Sequence, residues 1–346
     1  MTQQAFSWGR TISRLLAGED LAESDAAAAM TEIMEGAATP AQIAGFVVAL
    51  RAKGESADEL VGLVRTMRAY AEKVEVAVDV LDTCGTGGDR AGTFNVSTAA
   101  ALVCAGAGVK VAKHGNRAAS SRCGSADVLE ALGVRITLSP DAVARCIERA
   151  GIGFCFAPVF HPAFRHAMTP RRELGIATAF NFLGPLTNPA RAAHQAMGVA
   201  DPRMAPVMAE VLRRTGTRHA IVFYGHDGID ELTTTTTSTM LDVSADGVRE
   251  LTVDPVELGL AQAEPADLLG GDVDRNVAIA KEVLAGHGGP ARDLVLLNAA
   301  AGLVAADAAL SLMDGLEAAA RSIDQGRARQ ALDAWVEASR RAATDA

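Results

Sequence analysis

From about residue 76 onward, short β-like runs alternate with helical runs, and this alternation restricts the fold more than any other feature of the sequence. It is typical of a largely parallel sheet covered by helices, in which ligands bind beyond the carboxyl ends of the strands. The runs that predict strands are Val76–Leu81, Val109–Ala112, Val134–Thr137, Gly153–Phe156, Ala196–Val199 and Ala220–Tyr224, with Thr233–Thr237 as a polar edge strand. The runs that predict helices are Ser97–Ala105, Ser125–Leu132, Pro140–Ala150 and several within Asp274–Ala343.

The first 75 residues carry helix signals only. The dipeptide Thr39–Pro40 predicts a helix start and Gly54 its end, and Ser56–Glu59 forms a capping box. The apolar faces of these helices must pack against the rest of the chain or against a second copy, and periodicity does not choose between them. Between residues 162 and 189 the β-like pattern lapses, which predicts a second helical segment.

A glycine-rich segment after the first predicted strand suits phosphate binding. Gly85–Asp89 reads Gly-Thr-Gly-Gly-Asp, hydroxyl-bearing residues precede a helix, and Lys113–Arg117 follows on the same unit. Glycines let backbone N–H groups approach phosphate oxygens, and a helix N-terminus adds free amides. Each element alone is more often structural, but the three together favour a phosphorylated ligand. Neither the P-loop motif nor the dinucleotide fingerprint is present, so a sugar or small-metabolite phosphate is expected rather than ATP or NAD.

Composition excludes several classes of protein. The net charge of −10 argues against a general nucleic-acid surface, so an anionic substrate needs a local positive site or a metal. Five cysteines without Cys-x-x-Cys spacing are typical of reduced cytoplasmic thiols rather than a disulfide frame or a zinc site. The sequence predicts neither an export signal nor a membrane span.

Two charged pairs are candidate ligand-binding residues, and each has a simpler explanation. Asp230–Glu231 suits Mg²⁺, which prefers oxygen ligands beside substrate phosphates, but a solvated turn explains the pair equally well. Arg171–Arg172 starts a helical run and is normally a solvated face. Five isolated histidines are interpreted as structural and are assigned no role: His161, His166, His194, His219 and His287.

Five motifs occur in the order found in anthranilate phosphoribosyltransferases of tryptophan biosynthesis, and the chain therefore resembles that family. The motifs are GTGGD, NVST, KHGNRAASSRCGSAD, RRELGIATAFNFLGPLTNP and DGIDELTTTTTS. The resemblance covers most of the chain and is densest over residues 82–190. It implies a helical domain of residues 1–75, joined by the insertion at about 162–190, and an α/β phosphoribosyl-binding domain of residues 76–161 and 191–346. It also implies a homodimer through the helical domain.

The resemblance further implies a reaction and its site residues. The amine of anthranilate would attack C1 of 5-phosphoribosyl 1-pyrophosphate (PRPP), with Mg²⁺ on Ser97, Asp230 and Glu231. Anthranilate would lie on Gly85, His114, Asn116, Arg171 and Pro185. PRPP would lie on Gly85, Thr86, Gly87, Gly88, Asp89, Thr93, Asn95, Val96, Ser97, Thr98, Lys113, His114, Gly115, Asn116, Arg117, Ala118, Ala119, Ser120, Ser121 and Ser125.

Ala177 departs from the family pattern, which carries an arginine in the Leu-Gly-Ile-Arg-Thr segment. Two alternatives remain: a pyrimidine nucleoside phosphorylase of the same fold, and a non-catalytic paralogue that binds nucleic acid. The Asp230–Glu231 pair and the Arg171 segment favour the transferase over the first. The net charge argues against the second.

Overall fold

A mixed β-sheet organises the larger part of the molecule. The computed structural model describes residues 6–118 and 122–344. In this part of the chain the sheet has seven strands in the order β3-β2-β1-β4-β5-β6-β7, and only the β5–β6 and β6–β7 pairs are antiparallel. The strands are β1 Leu81–Gly85, β2 Val111–Gly115, β3 Ile152–Phe156, β4 His194–Gly198, β5 His219–Gly225, β6 Ser238–Ser244 and β7 Gly247–Val253.

Helices form the N-terminal part and cover the sheet. They are α1 Trp8–Leu16, α2 Glu23–Met34, α3 Pro40–Lys53, α4 Ala57–Ala69, α5 Val96–Gly106, α6 Ser125–Ala131, α7 Pro140–Ala150, α8 Ala157–Phe160, α9 Arg165–Leu174, α10 Ala179–Leu186, α11 Ala205–Arg214, α12 Val273–Leu284, α13 Pro290–Ala305, α14 Leu312–Asp324 and α15 Arg327–Thr344. Over the described residues, no helix combines the length and the apolar character that a membrane crossing requires.

The caps of α3 and α4 are those that the sequence predicts. Thr39 Oγ1 accepts a hydrogen bond from the Gln42 amide, and Gln42 Oε1 accepts one from the Thr39 amide. Ser56 and Glu59 repeat the arrangement at α4. These reciprocal bonds satisfy amides that the first helical turn leaves free. The small helical domain and the larger α/β domain confirm the predicted fold class.

The helical bundle and one face of the sheet share a hydrophobic core. Along β5, Ala220 and Val222 pack with the bundle, whereas Ile221 and Phe223 face the opposite core under α5 and α13. Helices α9 and α10 contact α3, and α10 also contacts α4, so a segment from the middle of the chain completes the bundle. The domain boundaries stay predictions.

Three predicted strands differ from the structure. The run Val76–Leu81 lies ahead of β1 and shares only Leu81 with it, because the strand continues through Gly85. Val134 and Ile136 are buried, but the segment forms no strand, and the Arg135 amide donates to Ser339 Oγ of α15. Its alternating pattern therefore reflects packing against a helix. The run 233–237 also forms no strand of the sheet. Its threonine side chains hold a turn instead, since the hydroxyls of Thr233 and Thr235 both donate to the Asp227 carboxylate.

Candidate active site

The loops after β1 and β4 meet at the carboxyl end of the parallel strands. The Thr86 amide donates to Gly198 O over 3.0 Å, and Thr86 Oγ1 accepts from the Ala200 amide over 3.0 Å. Gly87 and Gly88 have φ of +64° and +87°, a region that favours glycine. Apart from the adjacent residues, no atom of the described chain lies within 4 Å of where a Cβ on either would stand, so the loop is open above them.

Asp230 lies directly against this loop. Its Oδ2 accepts a hydrogen bond of 2.7 Å from the Gly87 amide. A Cβ on Gly85 would collide with the Asp230 carboxylate, and one on Gly198 would collide with the Asp230 backbone. The missing side chains on β1 and β4 therefore let Asp230 approach the strand ends. Asp230 and Glu231 are both buried.

The carboxylates of Asp89, Asp230 and Glu231 lie close together and repel one another. Burial, reinforced by Asp89, raises the pKa of Asp230 to about 7. Burial and Asp230 raise the pKa of Glu231 well above its usual range, against the opposing effects of Lys113 and the Ser97 backbone. Asp89 Oδ2 is buried and has no hydrogen-bond partner within the described chain. Carboxylate oxygens are ligands that a divalent cation takes, and such an ion would relieve the repulsion. Among the described residues, however, no group of three or more His, Cys, Asp or Glu side chains is placed to hold a metal ion by itself.

Lys113 is buried beneath the site rather than on its surface. Its Nζ donates to Thr83 O over 2.6 Å and lies 3.3 Å from Ser97 Oγ. Burial lowers the pKa of Lys113, and Asp82 is the strongest opposing influence. An ammonium has three hydrogens, so one remains for a ligand.

A buried carboxylate and two histidines lie next to Lys113. Asp82 Oδ1 accepts from the His114 amide over 3.0 Å, and burial raises the pKa of Asp82 to about 6. His114 Nδ1 is 2.9 Å from Gly184 O of α10, and its ring is centred 5.1 Å from that of His161. Burial lowers the pKa of His114 to about 3 and that of His161 to about 4, so both rings are neutral near pH 7.

Asp82 and His161 were missed as site residues by sequence reasoning. A charged residue inside the buried strand β1 was the signal for Asp82. No local signal marks His161, because its proximity to His114 arises only from the fold.

Arg171 and Arg172 differ in their surroundings. Arg171 is half-buried, and burial lowers its pKa, whereas Arg172 is exposed. Neither forms an ion pair with any residue that the structure describes. Within the described residues, Arg171 makes no hydrogen bond to the other residues predicted to bind anthranilate. The contact that the structure shows between the predicted positions is the one from His114 to Gly184 O of α10, next to Pro185. Ala177 is exposed.

The remaining predicted residues fall into two groups. Thr93, Asn95, Val96 and Thr98 lie at the start of α5, where Thr98 Oγ1 is buried without a partner in the described structure and Asn95 bonds to Asn276. Beyond β2, Asn116 O accepts from Ser125 Oγ, and Arg117 pairs with Asp127 and Glu130 of α6. Ala118 N donates to Asp127 over 3.3 Å. The predicted PRPP contacts Ala119, Ser120 and Ser121 lie outside the described residues.

Comparison with known proteins agrees with this architecture. Residues 10–71 match the helical bundle domain of a glycosyl transferase family, and residues 77–329 match its a/b domain. The chain is 60% identical to the anthranilate phosphoribosyltransferase of Acidothermus cellulolyticus, covering 99% of this chain and 98% of the relative.

Two solved structures are similar over nearly the whole chain. The anthranilate phosphoribosyltransferase of Thermus thermophilus has a TM-score of 0.90 and 43% identity, covering 95% of this chain and 99% of that one. The enzyme of Saccharomyces cerevisiae, in complex with PRPP and Mg, has a TM-score of 0.88 and 26% identity, covering 96% and 98%.

A helical bundle joined to an α/β domain, with a glycine loop facing paired carboxylates, defines the class as a two-domain glycosyl transferase. Within that class, the chain belongs to the anthranilate phosphoribosyltransferase family.

Proposed function

We propose that the enzyme transfers the phosphoribosyl group of PRPP to the amine of anthranilate, giving N-(5-phosphoribosyl)anthranilate and pyrophosphate. The observation that carries the proposal is the Gly87–Gly88 loop held over the Asp230–Glu231 pair by the 2.7 Å bond from the Gly87 amide. The yeast relative in complex with PRPP and Mg supports the same substrate class.

Asp230, Glu231 and the hydroxyl of Ser97 would hold Mg²⁺, with Asp89 beside them. The ion would neutralise charge that develops on the departing pyrophosphate. The Gly88 amide, which makes no hydrogen bond to a described residue, and the last free hydrogen of Lys113 add positive potential on the phosphate side. Thr93, Asn95 and Thr98 at the start of α5 complete the proposed phosphoribosyl site, together with the segment after β2.

Arg171 would bind the carboxylate of anthranilate. Its guanidinium is half-buried and has no counter-ion in the described structure, and a guanidinium can bind both oxygens of a carboxylate. His114 Nε2 is buried and free of hydrogen bonds to described residues, so the neutral ring can orient a polar group of the acceptor. Asn116, Gly85 and Pro185 would line the same pocket.

An aromatic amine keeps its lone pair near neutral pH, so its attack on C1 requires no strong general base. The amine nitrogen would bond to C1 as the C1–O bond to pyrophosphate breaks, with inversion at C1 and an oxocarbenium-like transition state. The proton that the nitrogen then loses would pass to pyrophosphate or water. Catalysis then comes from charge stabilisation and from alignment of the two substrates. The neutral state of His114 and His161 agrees with this scheme.

The helical domain is also the proposed dimer interface. Leu16 of α1 is 73% exposed and Val48 of α3 is 39% exposed, and a second copy would cover such apolar side chains.

The test is an assay of pyrophosphate release from PRPP, anthranilate and Mg²⁺, with consumption of anthranilate followed in parallel. We expect both signals to depend on all three components. A parallel reaction contains orthophosphate and a pyrimidine nucleoside. Phosphorolysis there, without pyrophosphate release from PRPP, would assign the chain to the phosphorylase alternative instead.

A further inference from the structure

Three arginines converge on a cavity away from the glycine loop. Arg65 and Arg68 of α4 and Arg191, which precedes β4, line a space of about 360 Å³ with Ala192 and residues 215–217. A cavity of this size accommodates a small molecule. Nothing in the proposed transfer reaction uses it.

Arg68 lies at the centre of this cluster. Its Nε donates to Leu186 O over 2.9 Å and its Nη1 donates to Thr215 O over 3.1 Å. Within the described structure, Nη2 has no hydrogen-bond partner and no carboxylate pairs with the guanidinium. Burial lowers the pKa of Arg68 to about 10, and the charges of Arg191 and Arg65 act in the same direction. Arg68 therefore lies among positive charges and has no carboxylate partner of its own within the described residues.

Arg191 adds a second uncompensated charge. Its φ of +49° is unusual for a residue other than glycine, and its amide donates to Asn188 O over 3.0 Å. The guanidinium makes no ion pair with any residue of the described ranges. Other arginines of this region are paired with carboxylates: Arg65 and Arg214 with Glu23, Arg214 also with Asp58, and Arg218 with Asp79. The absence of a carboxylate partner therefore distinguishes Arg68 and Arg191 from the arginines around them within the described structure.

Neutral donors complete the lining. Neither the Gly216 amide nor the Thr217 hydroxyl is hydrogen-bonded within the described chain, and Gly216 has φ of +92°. Guanidinium groups combined with a backbone amide and a hydroxyl are the donors that tetrahedral oxyanions select.

We propose that this cavity is a phosphate-binding site, separate from the active site and independent of the proposed transfer reaction. Arg68 is in the last turn of α4, immediately before the chain leaves the bundle, and Arg191 follows the segment that returns from α10. Residues 215–217 connect α11 to β5 in the α/β domain. A bound phosphate would therefore join the bundle to the α/β domain at two of the three places where the chain crosses between them.

Calorimetric titration with orthophosphate tests the site, with Mg²⁺ and PRPP absent. We expect Arg191→Gln to weaken one binding event about tenfold, since it removes a charge-assisted contact, and Arg65→Gln to weaken it less, because Arg65 is already paired with Glu23. Arg213→Gln is the matched control, because Arg213 is an exposed arginine of α11 paired with Glu210. Both arginines of the test lie at the surface, so the variants should fold, and circular dichroism verifies this. Ribose 5-phosphate, titrated in the same way, shows whether a phosphorylated metabolite is preferred to the free ion.

Unchanged phosphate isotherms in both Arg191→Gln and Arg65→Gln would overturn the proposal. A crystal soaked in tungstate gives an independent result, because the metal is located by its anomalous signal. We expect a peak between Arg68 and Arg191. Tungstate found only over Gly87 and Gly88 would assign all phosphate binding to the active site.

Discussion

Buried polar groups differ in their hydrogen bonding between the parallel side of the sheet and the antiparallel side, which consists of β5, β6 and β7. Three titratable side chains near β1 and β2 have a buried atom without a partner within the described residues. These atoms are Asp82 Oδ2 inside β1, Asp89 Oδ2 in the loop after it and His114 Nε2 near the end of β2. On the antiparallel side, His219 lies between Asp307 and Asp242, at 2.6 and 3.0 Å. A cavity of about 460 Å³ adjoins that second cluster, but its charges are already paired. Other buried groups without partners, such as Thr234 Oγ1 and Trp335 Nε1, are scattered through the described chain. The three titratable groups near β1 and β2, rather than cavity volume, therefore distinguish the proposed functional end of this sheet.

The largest difference in turnover is expected between variants that remove two carboxylates from one side of the sheet and variants that remove two from the other. Asp230→Asn combined with Glu231→Gln should lower turnover at least tenfold and raise the Mg²⁺ requirement, because uncompensated pyrophosphate charge costs about 1.4 kcal/mol per factor of ten. The matched control is Asp242→Asn with Asp307→Asn, which should leave kcat near normal. Steady-state kinetics over a Mg²⁺ series measures both. Wild-type Mg²⁺ dependence in the first variant would remove this pair from the metal site.

The arginines of α9 test the acceptor side of the functional end. Arg171→Ala should raise KM for anthranilate by about ten- to a hundredfold, the effect of losing a charge-assisted contact, with little change for PRPP. Arg172→Ala should be mild because Arg172 is exposed. Each substrate is varied separately. An equal or larger effect of Arg172→Ala on anthranilate would contradict the assignment.

The neutral histidines of the functional end predict an acid sensitivity. The pKa of His161 is about 4 in the fold and near 6.5 when unfolded, so its stabilising contribution is complete above pH 6.5 and is lost as the pH falls towards 4. His161→Gln should reduce the loss of unfolding free energy between pH 7 and pH 5 by about 2 kcal/mol. Urea denaturation at the two pH values measures this, with the exposed His287→Gln as control. Identical losses in wild type and His161→Gln would refute the prediction.

A comparison of two glycines with similar φ, Gly87 and Gly151, distinguishes the cost of backbone strain from an effect on substrate binding. Gly87→Ala should raise KM for PRPP roughly tenfold and leave anthranilate nearly unaffected, because a side chain at positive φ costs about 1–2 kcal/mol and disturbs the loop. Gly151, the C-cap of α7, has φ of +80° and equally open surroundings. Gly151→Ala should therefore lower stability without changing KM. A normal KM for PRPP in Gly87→Ala would place the phosphate elsewhere.

The smallest effect is expected on the antiparallel side. Arg249 is exposed and pairs with Asp242 over 2.8 Å, and surface ion pairs contribute about 0–1 kcal/mol. Arg249→Gln should lower unfolding free energy by no more than this and leave both KM values unchanged. Chemical denaturation and kinetics check it. A kinetic defect would show that the paired side also takes part in function.

Local chemistry made much of this molecule predictable. The caps at Thr39 and Ser56, the helix Pro140–Ala150 and the loop Gly85–Asp89 follow from residues adjacent in sequence. The segment 134–137 misled because an apolar alternation is the same whether a strand or a helix such as α15 covers it.

The parts of the site that were not predicted depend on contacts between distant residues. Asp230 reaches the loop because Gly85 and Gly198 carry no side chain, which no local pattern reveals. His161 and the arginine cluster at residues 65, 68 and 191 were likewise invisible, since each depends on segments far apart in the chain. Sequence could name Lys113 as a charge near phosphate, but not its burial under Thr83.

The late completion of the helical bundle has a consequence during synthesis. Arg68 at the end of α4 bonds to Leu186 O, 118 residues further along the chain. At the usual rates of about 5–20 residues per second, the ribosome needs on the order of ten seconds to make that segment. Throughout this interval the apolar surfaces of α3 and α4 that α9 and α10 later cover remain exposed on the nascent chain. The helices α3 and α4 are thus translated well before the segment that completes their packing, which makes their apolar faces an expected binding site for chaperones.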